Sequence, residues 1–280
     1  IGDLNAKQKH DFSRIQGRFA TKIPLTSANA DEVIQKLLLQ KNEVSVKSLS
    51  KIYVKEQNNI KTLFQFNDGA RKYQSYRDSE HFVMTYPFIA YQFDLFQAAI
   101  KALSDHNAFI GSQQSVGERS MLGVFQQVAK TYAEKDIDDI VSFAQMYEGI
   151  KDVLQSNIQS DILQAERSIN SELAVEILKA LFLIKYVKGF NATVNNIAAL
   201  ILPKFDTNMV VFLKKVQEAL NLLESQVYVQ RNVGDLYEYL TNQEKDVESE
   251  IKNTDIDPTA AGELLSGYLF DEILKDSKVK

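Results

Sequence analysis

Apolar residues recur three and four positions apart over most of this chain, and only four prolines and eleven glycines interrupt them. Helices therefore predominate, and the class is mainly α. A polar helix over about residues 6–17 leads into Phe19-Ala-Thr-Lys-Ile-Pro-Leu-Thr26. Alternation around Pro24 predicts a short edge strand there. Ser27 or Asn29 then caps a helix with Asp31 and Glu32 near its positive end and Val33, Ile34, Leu37 and Leu38 as its buried stripe. A second helix is predicted over Val44–Phe66, followed by a turn at Asn67-Asp-Gly69. His81-Phe-Val-Met-Thr-Tyr86 reads as an extended lead-in stopped by Pro87. Further helices are expected at about 90–103, 116–132, 138–154 and 156–168, with loops at Ser104–Asn107 and Gly111–Ser115.

The last third has the clearest pattern. Leu173, Ala174, Ile177, Leu178, Leu181 and Ile184 line one helix face, and Lys188-Gly189 supplies its C-terminal stop. Thr193 caps a short helix with Ile197, Leu200 and Ile201 facing inward, halted by Pro203. Asp206 or Thr207 opens a third and longer helix to about Glu224, burying Met209, Phe212, Val216, Ala219, Leu220 and Leu223. Two alternating runs follow, Val227–Gln230 and Leu236–Leu240, joined by Arg231-Asn-Val-Gly-Asp235. That pattern predicts a hairpin. Three helices and a hairpin suggest a winged helix, whose third helix reads the groove in DNA-binding members. Lys214, Lys215, Gln217 and Asn221, with Arg231 on the wing, are then the DNA-facing candidates. Against DNA, residues 171–240 hold seven acids and seven bases, and Glu218 and Glu224 share the same helix surface. The balance favours a structural or protein-binding wing.

Net charge is −5, and residues 241–280 account for it with ten acids against five bases. This makes the tail an acidic helical segment and removes any case for a globally basic nucleic-acid binder. Cysteine is absent, so disulfides and thiolate metal sites are excluded, which fits a reducing cytoplasm. His10, His81 and His106 lie too far apart to share a metal through close helical spacing. The most apolar run, Ala180–Ile184, sits between Lys179 and Lys185, far short of the ~20 residues that span a bilayer. The chain opens on Ile1 with no signal-like segment, which reads as a piece excised from a longer protein.

Catalytic motifs are missing from the sequence. Gly111-Ser-Gln-Gln-Ser-Val-Gly117 is one residue too long for a P-loop, and no lysine follows its second glycine. There is no nucleophile elbow, zincin helix or dinucleotide fingerprint. Asp138-Asp139 reads as a dipole-stabilising helix start. Two arginines stand out by position. Arg18 lies between a helix and a strand, and Arg119 in a first helical turn, where the dipole disfavours a cation. By themselves both are ordinary surface arginines.

Several runs, taken in order, resemble the BrxC (PglY) family, the large P-loop ATPase component of BREX bacteriophage-exclusion systems. They are Gly17–Ile34, Met84–Phe96, Ser115–Phe125, Leu178–Val187 and Thr241–Lys252. The family is similar to AAA+ ATPases, in which a nucleotide-binding core is followed by a helical lid and, in one clade, a winged helix. The resemblance implies that residues 1–26 end the core, 27–170 form the lid, 171–240 the winged helix and 241–280 an acidic helical tail. Gly17-Arg18-Phe19 then resembles an arginine-finger motif, with Arg14 a weaker second candidate, and Arg119 resembles the lid arginine called sensor 2. The Walker motifs would lie upstream, so the piece completes an active site without constituting one. ATP and magnesium are expected only in the intact protein, which would act as a homo-oligomer beside other BREX components, with double-stranded DNA as a further candidate partner and no membrane. A plain interaction scaffold and a transcription regulator are the competing readings, the latter disfavoured by the neutral charge of 171–240.

Overall fold

The computed structural model describes residues 27–64, 66, 73–110, 118–253 and 258–269. The expected helix at 6–17, the strand at 19–26, the turn at Asn67–Gly69 and the loop at Gly111–Ser115 lie outside the described residues. The architecture is mainly helical with one small antiparallel sheet, and the chain divides into two units, Ile1–Tyr239 and Leu240–Lys280.

In the first unit, α1 (Ser27–Val33) runs into a π-helical turn over Ile34–Leu38. Leu39 N donates to Ile34 O across five residues. This wider winding moves the buried stripe: Ile34 is fully buried, whereas Leu37 is 71% exposed and Val33 also faces solvent. The stripe expected from 3.6-residue periodicity is corrected accordingly. Next, α2 (Glu43–Leu63) is capped by Asn42, whose side chain accepts from Ser45 N at 2.8 Å.

The extended lead-in expected at His81–Tyr86 is instead a helix, α3 (Ser79–Thr85). Asp78 caps it by accepting from His81 N at 2.7 Å, and Thr85 Oγ1 bonds back to His81 O at 2.8 Å. Here the cap and the burial of Phe82 override the β-rich composition. α4 (Tyr91–Asp105) ends with Asn107 at φ 55°, where Asn107 N bonds Ser104 O and Ala108 N bonds Leu103 O. This is the double bond pattern of a left-handed helix terminus.

After α5 (Glu118–Tyr132), the single helix expected at 138–154 is broken into pieces. A 3₁₀ turn (Phe143–Gln145), α6 (Met146–Ile150) and a second 3₁₀ turn (Lys151–Val153) replace it. Its backbone bonds elsewhere: Ile140 N reaches Pro203 O, Val141 N reaches Pro87 O, and Gln92 Nε2 donates to Val141 O. Ile140, Val141, Phe143 and Ala144 are all buried, so no solvent face remains for an ordinary surface helix. Asp138-Asp139 therefore starts no helix. Asp139 pairs with Lys204 at 3.2 Å.

α7 (Ser156–Ser168) precedes α8 (Glu172–Ile184), whose buried residues surround it on every side and which packs against α4, α7, α10 (Met209–Ser225) and the sheet. α8 ends at Ile184 rather than at Lys188, and Gly189 serves the following turn with φ 77°. α9 (Val194–Leu200) is capped by Thr193, as its sequence predicts. One hydrophobic core spans the unit. Tyr91 OH donates to Ala199 O at 3.1 Å, and Phe64 meets Phe205 edge-on, so the regions expected as lid and winged helix share it.

In the second unit, α11 (Asn242–Asn253) and α12 (Pro258–Gly267) are amphipathic helices with exposed apolar residues, among them Val247, Ile251, Leu264 and Leu265.

Candidate interaction site

The residues singled out by sequence for recognition gather on α10 and the hairpin. Asn208 caps α10 through Val211 N at 3.2 Å, one or two residues beyond the Thr207 or Asp206 expected to open it. Phe212, Val216, Ala219, Leu220 and Leu223 face the core, which leaves Lys214, Lys215, Glu218 and Asn221 exposed.

How α10 ends decides the hairpin. Val227 N bonds Glu224 O and Tyr228 N bonds Leu223 O, with Val227 at φ 58°. Val227 is thus a left-handed helix terminus and not the first strand residue that its β-propensity suggests. β1 consequently covers Val229–Asn232 and pairs with β2 (Leu236–Tyr239), placing Arg231 inside the strand opposite Tyr237. The expected position of Arg231 in the connecting loop is corrected by this two-residue shift. The loop itself is Val233-Gly-Asp235, with Gly234 and Asp235 at positive φ and Val233 99% exposed at the tip.

Most of the candidate polar groups are engaged within the protein. Arg231 donates through Nε and Nη2 to Asp235 Oδ1 at 3.0 and 2.7 Å, and this bond holds its guanidinium still further above the ordinary arginine value. Gln217 spends its amide hydrogens on Asn221 Oδ1 and Tyr237 OH, both at 2.8 Å. Asn232 Nδ2 donates to Glu238 Oε2 at 3.0 Å. Beneath the sheet, the Lys185 side chain is only 2% exposed, and its ammonium donates to Tyr239 O at 2.6 Å and lies 3.3 Å from Glu238 Oε1. Lys214 and Lys215 differ, forming no ion pair among the described residues. They share the first two turns of α10 with Val210, 69% exposed, and Val211. The sequence pattern identifies the lysines but misses the valines, because it treats them as ordinary helix filling.

Of the nucleotide-related candidates, Arg14 and Arg18 lie outside the described residues. Arg119 falls in the first turn of α5, and its side chain is likewise outside them. His106 stacks on Tyr186 at 3.7 Å, and His81 Nδ1 accepts from Arg77 N at 3.2 Å; burial, followed by the Arg77 charge, lowers its basicity. Among the described residues no group of three or more His, Asp or Glu could hold a metal ion, and no helix is long and apolar enough to cross a membrane.

A second polar centre, unforeseen from sequence, surrounds Lys179. Its ammonium bridges Glu148 at 2.5 Å and Glu166 at 2.7 Å, and Glu148 also pairs with Lys151. Beside it Ser142 donates to Glu176 at 2.6 Å, and burial raises the Glu176 carboxyl above its usual range. These groups come from α6, α7, α8 and the 142–145 segment, a convergence that depends on tertiary packing alone. No protein-family model matches this chain, and no solved structure matches it significantly.

Proposed function

We propose that the chain is the lid and winged-helix portion of a BREX-type P-loop ATPase, and that its α10–hairpin element couples nucleotide state to a partner protein rather than to duplex DNA. The order of elements, a helical body followed by α8, α9, α10 and a hairpin, supports this reading beside the sequence resemblance. The observation that carries the choice of partner is the internal engagement of Arg231, Gln217 and Asn221, the groups that would otherwise reach phosphates and bases. What remains outward is mixed, two valines with two lysines, and this suits an apolar patch flanked by acids on another protein. ATP and magnesium would bind in the intact protein on residues beyond this chain, and Arg18, Arg14 and Arg119 keep their proposed nucleotide-facing roles from the resemblance alone.

Anisotropy of a labelled duplex titrated with this chain at several salt concentrations tests the choice. The expected outcome is no binding at low salt, or binding that a Lys214→Glu, Lys215→Glu, Arg231→Glu triple variant retains. Binding that weakens with salt and vanishes in the variant would assign the face to DNA instead. A non-catalytic scaffold is the second reading, favoured by the continuous core between the helical body and the hairpin region. Arg18→Ala and Arg119→Ala in the intact protein separate the two: lost hydrolysis with retained folding supports nucleotide sensing, and unchanged hydrolysis supports the scaffold.

A further inference from the structure

We infer that Lys41 is a nucleophilic amine seated at a preformed cleft and is the preferred site on this protein for modification by short-chain acyl donors. Lys41 lies in the connection between the π-helical turn and α2, at a cleft of about 410 Å³ of mixed lining, whose apolar side is formed by Leu38, Leu49, Pro87, Ala129 and Ile137. Its ammonium donates to Met84 O at 3.2 Å and forms no ion pair among the described residues. A carbonyl accepts one hydrogen and leaves the lone pair of the neutral amine available to the cleft.

The charged and titratable groups around the same cleft are Asp136, Asp139, Lys135, Tyr86 and Tyr132. Asp139 is engaged with Lys204 at 3.2 Å and with Asp136 N at 3.2 Å. Tyr86 OH donates to Ile137 O and Asp139 O, and burial keeps both tyrosines protonated at neutral pH. With no carboxylate holding the charge, burial lowers the Lys41 ammonium to about 8. At pH 7.5 roughly a quarter of it is then neutral, against about one part in a thousand for an ordinary lysine.

The reaction is aminolysis. Neutral Nζ attacks the acyl carbonyl, an N–C bond forms, the C–S bond of a thioester or the C–O bond of an acyl phosphate breaks, and the displaced proton leaves with the thiol, the phosphate or water. No oxidant or reductant is consumed. The apolar side of the cleft suits the hydrocarbon part of the acyl group, and the amide product carries no charge to solvate. The lower basicity of Lys41 offsets part of its larger neutral fraction, so roughly tenfold faster acylation than at a solvated lysine is expected at pH 7.5.

The test treats the whole chain with limiting acetyl phosphate or with an acetyl thioester from pH 6.5 to 10, and follows each lysine by peptide mass spectrometry. Lys41 should outpace the exposed Lys47 and Lys51 about tenfold at pH 7.5, and its own rate should level off above pH 8. An Ala129→Leu variant, checked for folding by circular dichroism, should slow Lys41 at least threefold and leave Lys47 unchanged. The donor that gives the larger Lys41 preference identifies the source. Equal rates at Lys41 and Lys47 with both donors, or a Lys41 rate indifferent to the Ala129 change, would overturn the assignment.

Discussion

At the scale of single residues, Val227 controls more than its size suggests. A β-branched residue at φ 58° is strained, and its neighbours hold it there through the paired bonds that close α10. Val227→Asn should therefore raise stability by roughly 0.5–1 kcal/mol, read as a higher thermal midpoint; a lower midpoint would show that the valine methyl contacts outweigh the strain. The same residue explains why the candidate site was only half legible. Lys214, Lys215, Gln217, Asn221 and Arg231 could be picked out by type and helical spacing. Their partners Asp235 and Tyr237 could not, because the pairing register depends on a backbone conformation that valine seldom adopts. Glu176 supplies a second test. Its carboxyl is raised by burial, so stability falls as pH rises above the ordinary glutamate value of about 4.3, and Glu176→Gln should stabilise the protein at pH 7 but not at pH 4. Gln at this position can still accept from Ser142.

At the scale of elements, the sequence pattern was reliable where a helix has one wet face and unreliable where it does not. α7, α9 and α10 fall within a residue or two of expectation. The 138–154 region fails because its backbone is recruited by Pro87, Pro203 and Gln92, which periodicity along the chain cannot register. The contact between α5 and α6 is equally invisible in one dimension. A methyl added at Gly149 would lie 2.6 Å from the Val124 side chain, a buried and rotationally stiff neighbour. Gly149→Ala should cost about 1–3 kcal/mol in denaturant unfolding, and Val124→Ala on top of it should be less damaging than it is alone. Lys179 ties α6, α7 and α8 together. Burial opposes its charge, but the bonds to Glu148 and Glu166 win and raise its basicity; burial likewise opposes the Glu148 charge, but the bonds from Lys151 and Lys179 win and hold its carboxyl below the usual glutamate value. The lysine contribution is complete below its unfolded value of about 10.4 and fades at more alkaline pH; the Glu148 contribution is complete above about 4.3 and fades on acidification. Lys179→Met should cost roughly 2–4 kcal/mol at neutral pH and show a shallower acid loss than the parent, since Glu148 loses one of the two lysines that favour its ionised form.

At the scale of the whole molecule, the mainly helical class was legible from composition and spacing, whereas the joining of residues 27–170 to 171–239 in one core was not. The sequence shows α8 as a helix with one apolar face, whereas its burial on nearly every side and the identity of its neighbours are properties of the fold. Stability should be distributed accordingly: amides of α8 should exchange with solvent most slowly and those of α11 and α12, with Val247, Ile251 and Leu264 in water, much faster. The central position of α8 also sets a timetable for making the protein. Tyr91 waits for Ala199, and Asp161 for the hydroxyl of Tyr239, so a growing polypeptide cannot close its interior until nearly the last strand has left the ribosome. Until then α4 and the aromatic side chains around it have no lid, and a nascent chain halted near residue 170 should be a client for chaperones and prone to aggregate.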